Sequence, residues 1–265
     1  MSSTSLISTL RTSDFSMNYI CFGSGKKNLV ILPGLSVQSV LLSAEAVKEV
    51  FKVFEKDFTI YLFDRPNELP PVCTVQQLAE VTAKAIQSLK LDHLYIFGAS
   101  QGGMMTLCIA ANHPELVERI CLGSASAQIT NFRIFDTWIN CAQNGDAQKL
   151  YLSFGEAVYP KELFEQSENL LKDAAKTVTE EELKRFVILA ESMRNFDIRS
   201  AISNIKCPAL IIGSSDDKVL GGDSSPLIAQ CMTNSQAKLI MYNGYGHAVY
   251  DTAPDFRDHL LDFFN

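Results

Sequence analysis

With 265 residues, 47% of them apolar and 20% charged, the chain can form one large domain, or a domain carrying an insertion, around a sizeable core. A net charge of −7 argues against nucleic acid or an anionic membrane as partner, since either favours a basic patch. The seven cysteines are odd in number, scattered and without a C-x-x-C pair, so free thiols in a reducing cytoplasm are expected rather than a zinc or redox motif.

The N-terminal segment MSSTSLISTLRTSDF lacks the basic start and apolar stretch of a signal peptide. No apolar run approaches the ~18 residues of a membrane span. Residues 5–22 alternate loosely and predict two short antiparallel strands turning near Thr12-Ser13-Asp14. A turn at 23–27 leads into a buried strand, NLVIL at 28–32, which ends in Pro33-Gly34-Leu35-Ser36. A helix is expected over about 40–54. FTIYLF at 58–63 is the next strand, ending in Asp64-Arg65-Pro66. Thr74 is a good N-cap for a helix over about 75–89. LYIF at 94–97 reads as a strand, and the apolar run at 104–111 as a helix stopped by His113-Pro114. VERICLG at 117–123 is a further strand. This β-α-β-α-β-α-β order predicts a parallel sheet with helices on both faces.

The pattern breaks between 125 and 204, where no strand is visible. Helices are expected near 132–143, 146–158, 160–176 and 179–195, the last opened by a capping box at Thr179 and Glu182. Phe132, Phe135, Trp138, Tyr151, Phe154, Tyr159, Phe164, Phe186 and Phe196 supply the core of this helical block, and a few of them the lining of a pocket beneath it. Strand character returns in ALIIG at 209–213. A loop with Asp216 and Asp217, a helix at 226–231, a strand at 237–242, the loop Asn243-Gly244-Tyr245-Gly246-His247 and a helix over 254–264 complete the chain. The division that follows is a core domain of residues 1–124 and 205–265, with eight strands, and an inserted helical cap of residues 125–204.

Gly98-Ala99-Ser100-Gln101-Gly102 joins a strand to a helix through a G-x-S-x-G turn, the context in which a serine nucleophile is exposed. The flanking glycines let strand and helix come close, and the helix turns its unpaired N–H groups towards the serine. The pentapeptide alone also fits an ordinary glycine-rich turn. A serine hydroxyl needs a base, and the base needs a carboxylate to hold its tautomer. His247 follows the last strand, Asp216 follows ALIIG, and Ser100 follows LYIF, so all three lie at one edge of a parallel sheet. His93 precedes its strand, His113 ends a helix far from the turn, and His259 lies within the last helix. Of the adjacent acids, the spacing after Gly213 favours Asp216 over Asp217, with Asp223 a third candidate. The N–H of Gln101 and that of Leu35 are the expected donors to a tetrahedral oxyanion.

The order Ser, Asp, His, together with LPGL at 32–35, FDRP at 63–66, GASQGG at 98–103, IKCPALIIGSSDDKV at 205–219 and GYGHAVYDTAPDF at 244–256, resembles the α/β-hydrolase superfamily. The likeness is to its small esterases and carbon–carbon bond hydrolases with a helical cap after the sixth strand. The resemblance implies the α/β-hydrolase fold and a Ser100–Asp216–His247 triad. Two departures stand out: Pro33-Gly34 in place of the frequent His-Gly, and Asp64-Arg65-Pro66-Asn67-Glu68-Leu69-Pro70-Pro71 in place of a glycine-rich segment. The activity expected is that of a carboxylesterase acting on a small or medium, apolar ester through an acyl-enzyme. No metal or cofactor is required, and the only partner implied is the small-molecule substrate. Carbon–carbon hydrolysis or acyl transfer on the same triad, and a non-catalytic ligand-binding role, are the alternatives.

Overall fold

The computed structural model describes residues 7–265. The start of the first expected strand and part of the N-terminal segment read as leaderless lie outside the described residues. In chain order the elements are β1 (Ile7–Arg11), β2 (Ser16–Gly23), β3 (Lys27–Leu32), α1 (Ala44–Phe51), β4 (Phe58–Pro66), α2 (Val75–Ser88), β5 (Leu94–Ala99), α3 (Gln101–Asn112), β6 (Val117–Gly123), α4 (Arg133–Gln143), α5 (Ala147–Val158), α6 (Lys161–Ala175), α7 (Glu180–Glu191), α8 (Arg199–Ile202), β7 (Ala209–Ser214), α9 (Ser224–Cys231), β8 (Ala237–Tyr242), α10 (Val249–Thr252) and α11 (Phe256–Phe264).

The eight strands form one sheet in the order β1-β2-β4-β3-β5-β6-β7-β8. Only β2 runs against the others, pairing antiparallel with β1 and β4. The central strands are apolar runs because both faces are covered. Their side chains alternate between two core layers with a period of two. Val30, Ile96, Ile120 and Ile211 join the layer of Leu78, Met104 and Cys108, from α2 and α3. Leu29, Phe97, Cys121 and Leu210 join the layer of Phe51, Phe256 and Phe264, from α1 and α11. Each fully buried phenylalanine there contributes about 1.5–3 kcal/mol of apolar burial. Helix α3 is buried on every side from Gln101 to Ala111 rather than amphipathic, its polar Gln101 and Thr106 being hydrogen-bonded inside.

After β3 the chain leaves towards α1 on one face, and after β5 towards α3 on the other. The loops after β3 and β5 therefore part at the carboxyl edge and leave a crevice there. Capping boxes open α2 at Thr74 and Gln77 and α7 at Thr179 and Glu182. Five helices, α4 to α8, lie between β6 and β7 where no strand was expected. The helix anticipated at 40–54 is shorter, with 3₁₀ turns at Val40–Ser43 and Lys52–Phe54 flanking α1. Ser39 tightens the first turn, accepting from Leu41 N at 3.2 Å and donating to Asp64 Oδ2 at 2.5 Å. Strand β4 runs on to Pro66, beyond the expected Phe63, through a register shift opposite Met17 and Tyr19. The four-residue helices α8 and α10 are too short to leave a period in the sequence.

All seven cysteines are free; Cys73, Cys108, Cys121 and Cys141 are buried. Among the described residues no helix is long and apolar enough to cross a membrane.

Candidate active site

Ser100 sits between β5 and α3 with φ 51° and ψ −118°, a conformation that costs a non-glycine residue about 1–3 kcal/mol. The neighbours impose it. Ser100 N–H donates to Gly123 O at 2.8 Å, and Met104 N–H to Ser100 O at 3.1 Å. A methyl group on Gly98 would collide with Thr106 Oγ1 and the Gly102 carbonyl, and one on Gly102 with the Leu32 and Pro33 carbonyl oxygens. The glycines thus permit the approach of α3 to β3 and β5 that turns the serine outward.

His247 Nε2 lies 2.9 Å from Ser100 Oγ, and its Nδ1 lies 2.8 Å from Asp217 Oδ2. Both His247 and Asp217 are buried. With Nδ1–H donated to a carboxylate, Nε2 is the nitrogen free to accept the serine proton. The carboxylate beside the histidine is that of Asp217 and not that of Asp216, which corrects the choice made from spacing. The chain turns at this point, Asp217 N–H donating to Ser214 O at 3.3 Å. Past the turn Asp217 Oδ1 accepts from Val219 N at 2.8 Å and Leu220 N at 3.0 Å, which leaves Oδ2 for His247.

Asp216 faces the other way. Its Oδ1 accepts from Ser214 Oγ at 2.5 Å and Gly244 N at 2.9 Å, and its Oδ2 from Gly246 N at 3.2 Å. Burial alone would raise its pKa, but these hydrogen bonds outweigh it and hold the carboxyl below its ordinary value. Asp216 therefore clamps the loop that carries His247. Asp223 is exposed just before α9 and takes no part.

The remaining histidines lie elsewhere, in ion-pair range of surface carboxylates: His93 of Glu118, His113 of Glu80 and His259 of Asp255. The loop after β3 does reach the serine, since a methyl on Gly34 would sit 3.3 Å from Ser100 Cβ. That brings Leu35 beside the site. Gln101 opens α3, so its N–H belongs to the unpaired first turn next to Ser100.

Two features escape sequence reasoning. Tyr250 stacks edge-on against His247, with ring centroids 6.3 Å apart. The buried Arg65 donates to Gln101 Oε1 from Nη2 at 2.8 Å and from Nε at 3.2 Å. The FDRP motif carried Arg65 in plain view, but nothing in the pattern showed that it points inward.

Ser100 and His247 open on a cavity of about 580 Å³. From α4, α5 and α6 come Phe135, Trp138, Phe154, Val158, Leu171 and Ala174; from the α1 side come Ala46, Val47 and Val50. Polar groups are few. Tyr151 OH donates to Gln38 Oε1 at 3.1 Å, and Gln38 Nε2 to Glu182 Oε1 at 3.2 Å, joining α5 and α7 to the loop after β3. Asp251 also reaches the cavity, and burial raises its carboxyl pKa to about 6 against the opposing field of Arg257. Among the described residues no cluster of three or more potential ligands could hold a metal ion.

A buried serine–histidine–aspartate relay at the carboxyl edge of a doubly covered parallel sheet defines an α/β-hydrolase-type site. The α/β-hydrolase fold family matches residues 27–254, and the chain belongs to that family. A protein of Agrobacterium fabrum named as a carbamate hydrolase, RutD, is 27% identical over 202 residues, covering 74% of this chain and 77% of the relative. Its namesake from Stutzerimonas stutzeri is 25% identical over 223 residues, covering 78% and 82%. Among solved structures, MGS-M2, an α/β-hydrolase enzyme from a Medee basin deep-sea metagenome library, superimposes with a TM-score of 0.85 at 22% identity over 97% of both chains. The enol-lactonase from Burkholderia xenovorans LB400 superimposes with 0.82 at 18% identity, over 97% of this chain and 99% of its own. These two structures share the fold.

Proposed function

We propose that the protein is a serine hydrolase that cleaves a carboxylic ester of a small or medium, apolar substrate through an acyl-enzyme. The observation that carries this reading is the relay of Ser100, His247 and Asp217 opening on a largely apolar cavity. Ser100 Oγ attacks the ester carbonyl while His247 Nε2 takes its proton. The N–H groups of Leu35 and Gln101 receive the oxyanion, and Asp217 stabilises the imidazolium. His247 then gives the proton to the leaving alkoxide, which departs as the alcohol. Water activated by the same histidine releases the acid and restores Ser100. Residues 125–204 act as a cap that closes the cavity with Phe135, Trp138, Phe154, Val158, Leu171 and Ala174, while the core supplies the rest of the wall. The free thiols fit a reducing cytoplasm.

A carbamate presents the same electrophilic carbonyl, and the names of the curated relatives favour including one among the substrates tested. A fluorophosphonate probe tests the mechanism: wild type is labelled and Ser100→Ala is not. Folded wild type that resists the probe overturns the reading. p-Nitrophenyl esters, an aryl carbamate and a vinylogous diketone, assayed side by side, test the substrate class; turnover of the diketone alone would replace ester with carbon–carbon cleavage.

A further inference from the structure

Arg65 leaves β4 into the core and is almost fully buried, at 3% exposure. A buried cation usually pairs with a carboxylate. Here Nη2 donates to Pro33 O at 2.7 Å, to Gly34 O at 3.4 Å and to Gln101 Oε1 at 2.8 Å, and Nε donates to the same Gln101 oxygen at 3.2 Å. Every one of these acceptors is neutral. The adjacent Asp64 is committed elsewhere, accepting from Ser39 Oγ and, at 2.7 Å, from the backbone N–H of Arg65. A second guanidinium, that of Arg185, packs behind, donating to Arg65 O at 3.2 Å and Pro66 O at 2.8 Å. Burial and the field of Arg185 lower the Arg65 pKa, with Asp64 opposing, to about 10, which leaves the group charged at neutral pH. Two cations thus share one carboxylate.

The acceptors also mark a place. Gln101 and the Gly34–Leu35 peptide are the two segments that flank Ser100. In a trans peptide the C=O and the following N–H point in opposite directions within one plane. A Gly34 carbonyl drawn towards Arg65 therefore turns the Leu35 N–H away from it. Gln101 is tethered at both ends of its amide: its Oε1 is held by Arg65, and its Nε2 donates to Leu189 O at 2.8 Å and to Ser192 Oγ at 3.3 Å.

We propose that Arg65 is a positioning residue for transition-state stabilisation, orienting the Leu35 and Gln101 N–H groups towards the oxyanion and adding behind them a positive field that the single carboxylate of Asp64 only partly neutralises. This rests on those two N–H groups being the oxyanion donors. In the sequence the position belongs both to the FDRP match and to the departure that follows it, Asp64-Arg65-Pro66 standing where a glycine-rich segment was expected, and neither shows where the side chain points.

The test compares wild type with Arg65→Met and Arg65→Lys, each normalised by fluorophosphonate titration of Ser100. Steady-state kinetics on a p-nitrophenyl ester are set beside inhibition by a trifluoromethyl ketone, which Ser100 converts to a hemiketal oxyanion as His247 takes its proton. Arg65→Met is expected to lose about tenfold to a hundredfold in kcat, less than the loss of an oxyanion donor itself, with KM nearly unchanged. Its affinity for the ketone falls by the same factor, and Arg65→Lys recovers part of both. Wild-type kcat per titrated site in Arg65→Met, or lost kcat with unchanged ketone affinity, overturns the proposal. Should Arg65→Met fail to fold, Arg65→Lys carries the test: a parallel loss of several-fold in kcat and ketone affinity supports the role, and wild-type values refute it. Wild type that resists the probe overturns the serine-hydrolase reading and this one with it. Intact labelling with unchanged kinetics overturns the role of Arg65 alone.

Discussion

Asp216 and Asp217 are neighbours in the chain with opposite duties: Asp217 Oδ2 lies 2.8 Å from His247 Nδ1, while Asp216 Oδ1 accepts the Gly244 N–H at 2.9 Å. Replacing each by asparagine separates them. Asp217→Asn removes tautomer control and is expected to lower kcat by about 10⁴ while leaving the fold intact. Asp216→Asn loosens the histidine loop instead. The native carboxyl titrates below its unfolded value, so its stabilisation is present above the unfolded pKa and is lost as pH falls through the folded one. Melting of Asp216→Asn should therefore lie below wild type at pH 7 and converge with it under strongly acid conditions. Equal kcat losses in the two variants would contradict this division.

Asp251 gives the opposite sign. Its side chain is accessible from the cavity, and the protein around it raises its pKa to about 6. A raised carboxyl pKa means that the folded state binds the proton more tightly. Stability is then greatest below the unfolded pKa, near 3.9, and declines as pH rises to about 6. Asp251→Asn is expected to melt higher than wild type at pH 8 and to match it at pH 4. Thermal melts of both proteins across that range check the prediction, and a constant offset would refute it.

The cavity predicts a chain-length series. Burying one more methylene against Phe135, Trp138 and Leu171 stabilises the complex by about 0.8 kcal/mol, so kcat/KM for p-nitrophenyl esters should rise roughly fourfold per methylene until the cavity fills. Ala174→Trp is expected to remove the gain for long chains and spare the acetate. Stopped assays on acetate through octanoate distinguish the two proteins.

Gly102 allows no side chain, because a methyl there meets the carbonyl oxygens of Leu32 and Pro33. Gly102→Ala should cost about 1–3 kcal/mol in denaturant unfolding, with loss of probe labelling at Ser100. Gly145, whose left-handed position has nothing within 4 Å, is the control: alanine there strains the backbone and leaves the labelling untouched.

The strands were legible because a two-sided sheet demands apolar runs, and ALIIG and LYIF are such runs. Ser100 and His247 could be placed because each follows a strand at the same edge. The acid could not be chosen with equal security. Asp216 and Asp217 differ by one position in a turn, and which of them faces the histidine depends on the backbone amides of Val219, Leu220, Gly244 and Gly246, none of which leaves a mark in residue type. Arg65 was hidden for a related reason: an arginine after a strand reads as surface charge until neutral oxygens are found around it. Helix α10 was missed because four residues carry no period.

The Val158 carbonyl at the end of α5 accepts the Ala248 N–H at 3.0 Å, and a methyl on Gly246 would come equally close to it. The loop carrying His247 is thus fastened on one side to the inserted helices as well as to the sheet. The helices between β6 and β7 are therefore coupled to the catalytic loop through the end of α5. A shortened chain that deletes α4 to α7 would free the sheet edge to solvent and also withdraw a support of the base, so excision should disarm Ser100 even where the sheet survives. Substitutions should correspondingly disturb the site less in the outer turns of α6 than at the end of α5, where one backbone oxygen must stay in place.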